Sequence, residues 1–160
     1  MVREISEFER VLKKYDVQVY RPSVLKDVNQ IFARDIAFVI EDKFIRSNIL
    51  PNRIEELDAI HEVYEQVNPL NRIIPPDEVH VEGGDVMPWN DYIFVGVYTG
   101  DDYADYITAR TNQEAVDFLK ELFPNKIVKS FELRKSNTEA KDNALHLDCC
   151  FQPLGKGKAI

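Results

Sequence analysis

The chain has 160 residues, a length that favours one domain, and 44% of them are hydrophobic, enough to build a core. Its 28 acidic residues against 20 basic ones leave a net charge of −8, which disfavours general binding to a phosphate backbone. No run approaches the roughly 18 apolar residues of a membrane span, and the N-terminus lacks the apolar segment of a signal peptide. The two cysteines, Cys149 and Cys150, are neighbours, so a secreted disulfide scaffold is not indicated. A soluble, cytoplasmic protein without nucleic-acid or membrane partners is the expectation.

Helical spacing of Ile5, Phe8, Val11, Leu12 and Tyr15 predicts a first helix over 6–15, followed by a short strand at 17–20. Residues 35–45 read as a hairpin turning at Glu41-Asp42-Lys43. A second helix is expected over 52–67, where Ile54, Leu57, Ile60, Val63, Tyr64 and Val67 form one stripe, and Pro69, Pro75 and Pro76 mark the way out. The pattern then restarts with strands at 85–89 and 92–98 around Asn90-Asp91. Thr111-x-x-Glu114 has the form of a capping box ahead of a third helix carrying Val116, Phe118, Leu119 and Leu122. A strand over 126–133 follows, and 144–151 opens a last hairpin that turns at Gly155-Lys156-Gly157.

The repeat is strand, strand, helix, strand, and each copy is headed by an acid. The heads are Arg34-Asp35-Ile36, Gly84-Asp85-Val86 and His146-Leu147-Asp148, about fifty and then about sixty residues apart. Two units are complete, roughly 35–74 and 85–133, with partial units before and after them. Both ends cutting a unit in the middle is the expectation for part of a larger protein.

Asp35, Glu82, Asp85, His146 and Asp148 are the candidate site. Carboxylates gathered around one pocket raise each other's pKa unless a cation sits among them, and a metal ion, a Lys or Arg side chain or a charged ligand can supply it. A planar guanidinium suits them because its forked donors bind two carboxylates. His146, two residues before Asp148, shares its face if the segment is a strand, and supplies proton transfer near neutral pH. The same strand geometry puts Cys149 on the opposite face and Cys150 roughly 13 Å away, so both cysteines read as core-packing residues. In Glu82-Gly83-Gly84-Asp85 the two glycines allow a sharp bend or close backbone approach. His61 and His80 read as surface residues, and Gly155-Lys156-Gly157-Lys158 as a turn.

Three ordered motifs, Phe32-Ala33-Arg34-Asp35, Glu82-Gly83-Gly84-Asp85 and His146-Leu147-Asp148, resemble the guanidino-group modifying enzymes, which include arginine deiminase, dimethylargininase and the amidinotransferases. The resemblance implies an α/β propeller of repeated ββαβ units (the pentein fold), here about three of the family's five, with residues 1–160 forming one partial catalytic domain. It implies Asp35 and Asp148 as ligands of the substrate guanidinium, with Arg34 and Asp85 beside them. Glu82 would bind the same group and shuttle protons, and His146 would be the general acid and base. A cysteine attacks the guanidinium carbon in these enzymes; it lies in a last unit that this chain lacks, so the isolated chain is expected to have no turnover. No metal or organic cofactor is implied. The expected partner is a small guanidino substrate such as arginine, with a homodimer or a complementing fragment as the protein partner. Two other readings stay open: a non-catalytic binding protein on the same propeller, and a metal hydrolase built on His146, Asp148, Glu82 and Asp35.

Overall fold

The computed structural model describes residues 2–101 and 105–160. Both central hairpins form close to where their turn residues place them, the first beginning at Ala37 rather than Asp35 and turning without Lys43. Strands β1 (Ala37–Ile40) and β2 (Lys43–Arg46) pair antiparallel with Ile40 opposite Lys43, leaving the two-residue turn Glu41-Asp42. Strands β4 (Val86–Trp89) and β5 (Tyr92–Val97) repeat this with Trp89 opposite Tyr92 around Asn90-Asp91. The first turn residue is left-handed in each case, with φ of 56° at Glu41 and 52° at Asn90.

Each hairpin gains a third strand through a helical crossover. Residues Arg72–Ile73 (β3) lie parallel to β2, and Ile127–Glu132 (β6) lies parallel to β5. The strand-strand-helix-strand unit therefore occurs twice, as two three-stranded sheets of order β1-β2-β3 and β4-β5-β6. Their middle strands contribute the deepest residues, Ile45 and Ile93, and the shared core adds Val86, Val95, Val116 and Leu119. Pro88 sits in the edge strand β4, where a missing N–H costs no ladder bond. The last hairpin is β7 (Pro153–Gly155) with β8 (Lys158–Ala159), turning through left-handed Gly155, Lys156 and Gly157.

Several elements differ from their sequence reading. Helix α1 spans Val2–Lys14, but none of its residues is buried, so its apolar stripe faces outward. Residues 17–20 form no strand. The second helix is a 3-10 helix over Pro51–Ile60 followed by a single α-turn, α3 (His61–Tyr64), and Ile54 of its stripe is exposed. The crossover helix α4 (Gln113–Leu122) is capped by Asn112, whose side chain accepts from the Ala115 amide; Thr111 is used elsewhere.

The largest difference concerns the repeat heads. Each is one helical turn ahead of its strand: α2 (Ala33–Ile36), then 3-10 turns at Gly83–Asp85 and Leu147–Cys149. The amides of Asp35, Asp85 and Cys149 bond back to the carbonyls of Phe32, Glu82 and His146. By this pairing Glu82 and His146 are equivalent positions, and Cys149, not Asp148, matches Asp35 and Asp85.

Candidate active site

The three turns meet: α2 packs on the Gly83–Asp85 turn, which packs on the Leu147–Cys149 turn. The glycine pair makes this approach possible. A Cβ at Gly83 would collide with the Arg34 carbonyl, and one at Gly84 would lie 2.8 Å from Cγ of the His146 ring. Close backbone approach, the sequence reading of these glycines, is what they provide.

At the meeting point Glu82 is fully buried, and one of its oxygens, Oε2, receives three donors. They are His146 Nε2 at 2.8 Å, Arg110 Nη1 at 2.9 Å and Arg53 Nη1 at 3.0 Å. Burial works against the Glu82 charge, but the His146 hydrogen bond and the Arg110 and Arg53 charges outweigh it and hold the carboxyl below its usual range. Burial also opposes an imidazolium, yet the bond to Glu82 and the charges of Asp85 and Asp35 override it and raise the His146 pKa. The two shifts agree on a buried ion pair, Glu82 carboxylate with His146 imidazolium. Asp35, whose Oδ1 lies 3.9 Å from His146 Nδ1, is pushed up by burial, with His146 and Arg53 pulling the other way.

Arg53 is spread over three acids. Its Nε and Nη2 donate to the two oxygens of Glu56, both at 2.8 Å, while Nη1 reaches Asp35 Oδ2 at 3.1 Å as well as Glu82. Sequence reasoning required a cation among the carboxylates but did not name Arg53 or Arg110. Both are the chain's own guanidinium groups, drawn from a 3-10 helix and a loop that carry no motif.

Beside this cluster lies a cavity of about 850 Å³ whose wall includes Asp35, His146, Asp148, Arg34, Arg53 and Arg110. Arg34 and Asp148 close one side as an ion pair, Nε to Oδ2 at 3.0 Å. Asp85 is not on this wall. It lies behind the site, accepting from Thr111 Oγ1 at 2.7 Å and from the Leu147 amide at 2.9 Å. Its expected place beside the substrate is corrected by that burial.

The cysteines are corrected too. Both are exposed rather than packed in a core, because the segment is a helical turn and strand alternation does not apply. Cys149 lines the cavity, but burial pushes its thiol up, and its sulfur points to Asp148 Oδ1 at 3.7 Å. An acidic neighbour disfavours thiolate. His61 is exposed and His80 half-buried, away from the cavity wall.

Asp35, Glu82 and His146 offer ligand atoms within 4.8 Å of one another, the spacing a metal ion needs. Two guanidinium groups already contact Glu82 there, and a divalent cation would have to enter against their charge. Among the described residues no helix is long and apolar enough to cross a membrane.

No protein-family model matches the chain. It is 28% identical over 158 residues to the uncharacterized protein YkgA of Bacillus subtilis, covering 97% of this chain and 48% of that protein. The chain thus spans about half the length of the curated relative it matches. Among solved structures it resembles a dimethylarginine dimethylaminohydrolase adduct with 4-chloro-2-hydroxymethylpyridine (TM-score 0.74, 19% identity, 99% of this chain and 58% of that one). It also resembles SxtG, an amidinotransferase of the saxitoxin pathway of Microseira wollei (TM-score 0.72, 18% identity, 98% and 54%). The cyanobacterial arginine dihydrolase ArgZ superposes with a TM-score of 0.73 at 18% identity over 99% of this chain and 23% of that one. A dimethylarginine dimethylaminohydrolase, an amidinotransferase and an arginine dihydrolase share one arrangement of chain, and this protein has that fold.

Proposed function

We propose that this chain carries the guanidinium-binding and proton-transfer half of a guanidino-group modifying site, acting on arginine or a related guanidino compound within a pentein-type propeller. The observation that carries the reading is Arg53: a guanidinium already rests on Asp35 and Glu82 at 3.1 and 3.0 Å, beside a cavity of about 850 Å³. Carboxylates that seat one guanidinium fit another. The solved relatives agree in kind, since a dimethylarginine dimethylaminohydrolase of Pseudomonas aeruginosa has been captured with citrulline.

In this reading Asp35 and Asp148 face the substrate guanidinium, and Glu82 joins them as Arg53 and Arg110 give way. The exchange conserves charge. As the incoming guanidinium takes carboxylate oxygens, the freed Arg53, Arg110 and Arg34 donors become available to a carboxylate elsewhere on the ligand. A zwitterionic guanidino acid therefore fits the mixed lining better than a simple cation.

The chemistry implied is attack of a cysteine thiolate on the guanidinium carbon. His146 passes a proton to the departing amine, and the carbon–nitrogen bond breaks to leave an amidino-thioether. His146, now neutral, takes a proton from water or from an acceptor amine as it attacks in turn, releasing thiolate with a ureido product or a transferred amidino group. Cys149 is not assigned the nucleophile: burial pushes its thiol up, and its sulfur lies against the Asp148 carboxylate at 3.7 Å. The attacking cysteine is assigned outside these 160 residues, so the isolated chain is expected to bind without turnover.

Calorimetric titration of arginine into the pure chain tests this. Saturable binding that Asp35→Ala weakens by at least about tenfold, or 1.4 kcal/mol, supports it. Absence of binding, or equal binding by both proteins, overturns it.

A further inference from the structure

The segment carrying His146 is gripped from both sides by two charged residues that do not line the cavity. Lys135, buried, donates from Nζ to the carbonyls of Ala144 at 3.0 Å and Leu145 at 2.6 Å, the two residues before His146. Asp85 accepts from the amide of Leu147, the residue after it, at 2.9 Å. The other Asp85 oxygen receives Thr111 Oγ1 at 2.7 Å, and Thr111 Oγ1 in turn accepts from the Glu82 amide at 3.3 Å. One buried chain of hydrogen bonds thus links the backbone of Glu82 to the backbone of His146's neighbour. Space is kept for it: a Cβ at Gly96 would lie 2.5 Å from Asp85 Oδ1.

Burial of an ammonium and a carboxylate is costly, and neither side chain is used for packing alone. Burial lowers the Lys135 pKa and pushes Asp85 up to about 6. A hydrocarbon pair would fill the same volume at lower cost. What a hydrocarbon pair cannot do is fix three consecutive peptide groups around one imidazole.

We propose that Lys135 and Asp85 are positioning residues which clamp residues 144–147 and thereby hold His146 Nε2 on Glu82, fixing the line along which the imidazole delivers its proton. This rests on the reading of His146 as the proton carrier of the site. The charged groups facing the ring are Glu82, Asp85 and Asp35, and Arg53 and Arg110 share with the ring the same Glu82 oxygen, Oε2.

The test is the His146 pKa, read by NMR from its ring protons in wild type, Lys135→Met and Lys135→Arg. Loss of a nearby positive charge by itself raises an imidazole pKa; loss of the Glu82 bond lowers it. The clamp therefore predicts a fall towards the unperturbed value of about 6.5 in Lys135→Met, with arginine affinity down about tenfold, and recovery in Lys135→Arg. An unchanged or higher His146 pKa in Lys135→Met overturns the proposal. Should that variant not fold, Thr111→Val takes its place: the shape is kept and the hydroxyl link is cut, so a smaller fall is expected and no fall is fatal. Wild type that fails to bind arginine removes the functional reading, while the clamp is still judged by the pKa alone.

Discussion

Arg53 Nη1 stands 3.1 Å from Asp35 Oδ2, so the carboxylate assigned to the substrate guanidinium already holds one from its own chain. The rest of the fork is bound to Glu56, which keeps the group at the edge of the cavity. Removing one partner from a buried set of charges costs far more than the set contributes, because the remaining charges stay desolvated.

Arg53→Ala should therefore destabilise the chain by roughly 3 kcal/mol and leave a hole shaped for a guanidinium. Millimolar ethylguanidine should restore part of the lost melting temperature in the variant and leave wild type little changed. Equal responses in the two proteins, measured by thermal unfolding, would show that the carboxylates do not select a guanidinium.

Much of the frame was legible because it follows local rules. The turn residues at Asn90-Asp91 and the helical spacing of α4 are local signals and were read where they lie, while the first turn is one residue tighter than read, with Lys43 already in β2 opposite Ile40. The acid heads were not legible as helical turns, since three or four residues carry no periodicity; reading them as strands displaced Cys149 and Cys150 into a core they do not enter. Asp35, Glu82 and His146, which the structure brings together, were singled out by the repeat and the motifs. Arg53 and Arg110 were not, because charge balance requires a cation without saying which residue supplies it.

Stability should fall as pH rises through the weakly acidic range. Burial pushes Asp85 from 3.8 up to about 6, so between these values the folded chain keeps a proton that the unfolded chain has released. Its stabilising effect is full below 3.8 and lost by about 6, on the order of 3 kcal/mol across the window. His146, also raised, acts in the same sense higher up, its contribution full below 6.5 and lost as pH climbs through its folded value. Glu82, lowered from 4.5, acts oppositely, losing its contribution as pH falls. Urea unfolding of wild type and Asp85→Asn from pH 4.5 to 7.5 should show the variant's slope flattened below pH 6. Parallel curves would remove Asp85 as the source.

Cys149 and Cys150 should differ in how ligand affects them. Burial and the neighbouring Asp148 keep the Cys149 thiol protonated, so alkylation by iodoacetamide at pH 7.5 should run slower than for free cysteine. Cys149 lines the cavity and Cys150 does not. Arginine should therefore slow labelling at Cys149 and leave Cys150 unaffected, as read by peptide mass spectrometry. Equal protection of both thiols would point to a general tightening of the chain, and protection of neither would place arginine elsewhere.

The two glycines of the Glu82 turn should fail differently when replaced by alanine. At Gly83 the new methyl meets the backbone carbonyl of Arg34, which cannot rotate aside, so the α2 turn must move as a whole. At Gly84 the methyl meets the His146 ring at 2.8 Å from Cγ and 2.9 Å from Nδ1, and a side chain can yield. Gly84→Ala should cost about 1–3 kcal/mol and displace the imidazole from Glu82. Its His146 pKa and arginine affinity should both drop while the fold persists. Gly83→Ala should cost more in denaturant unfolding, since backbone must shift where in Gly84→Ala a ring turns. If Gly84→Ala keeps the wild-type His146 pKa, the close approach of the turn to the ring is not what sets the geometry of the pair.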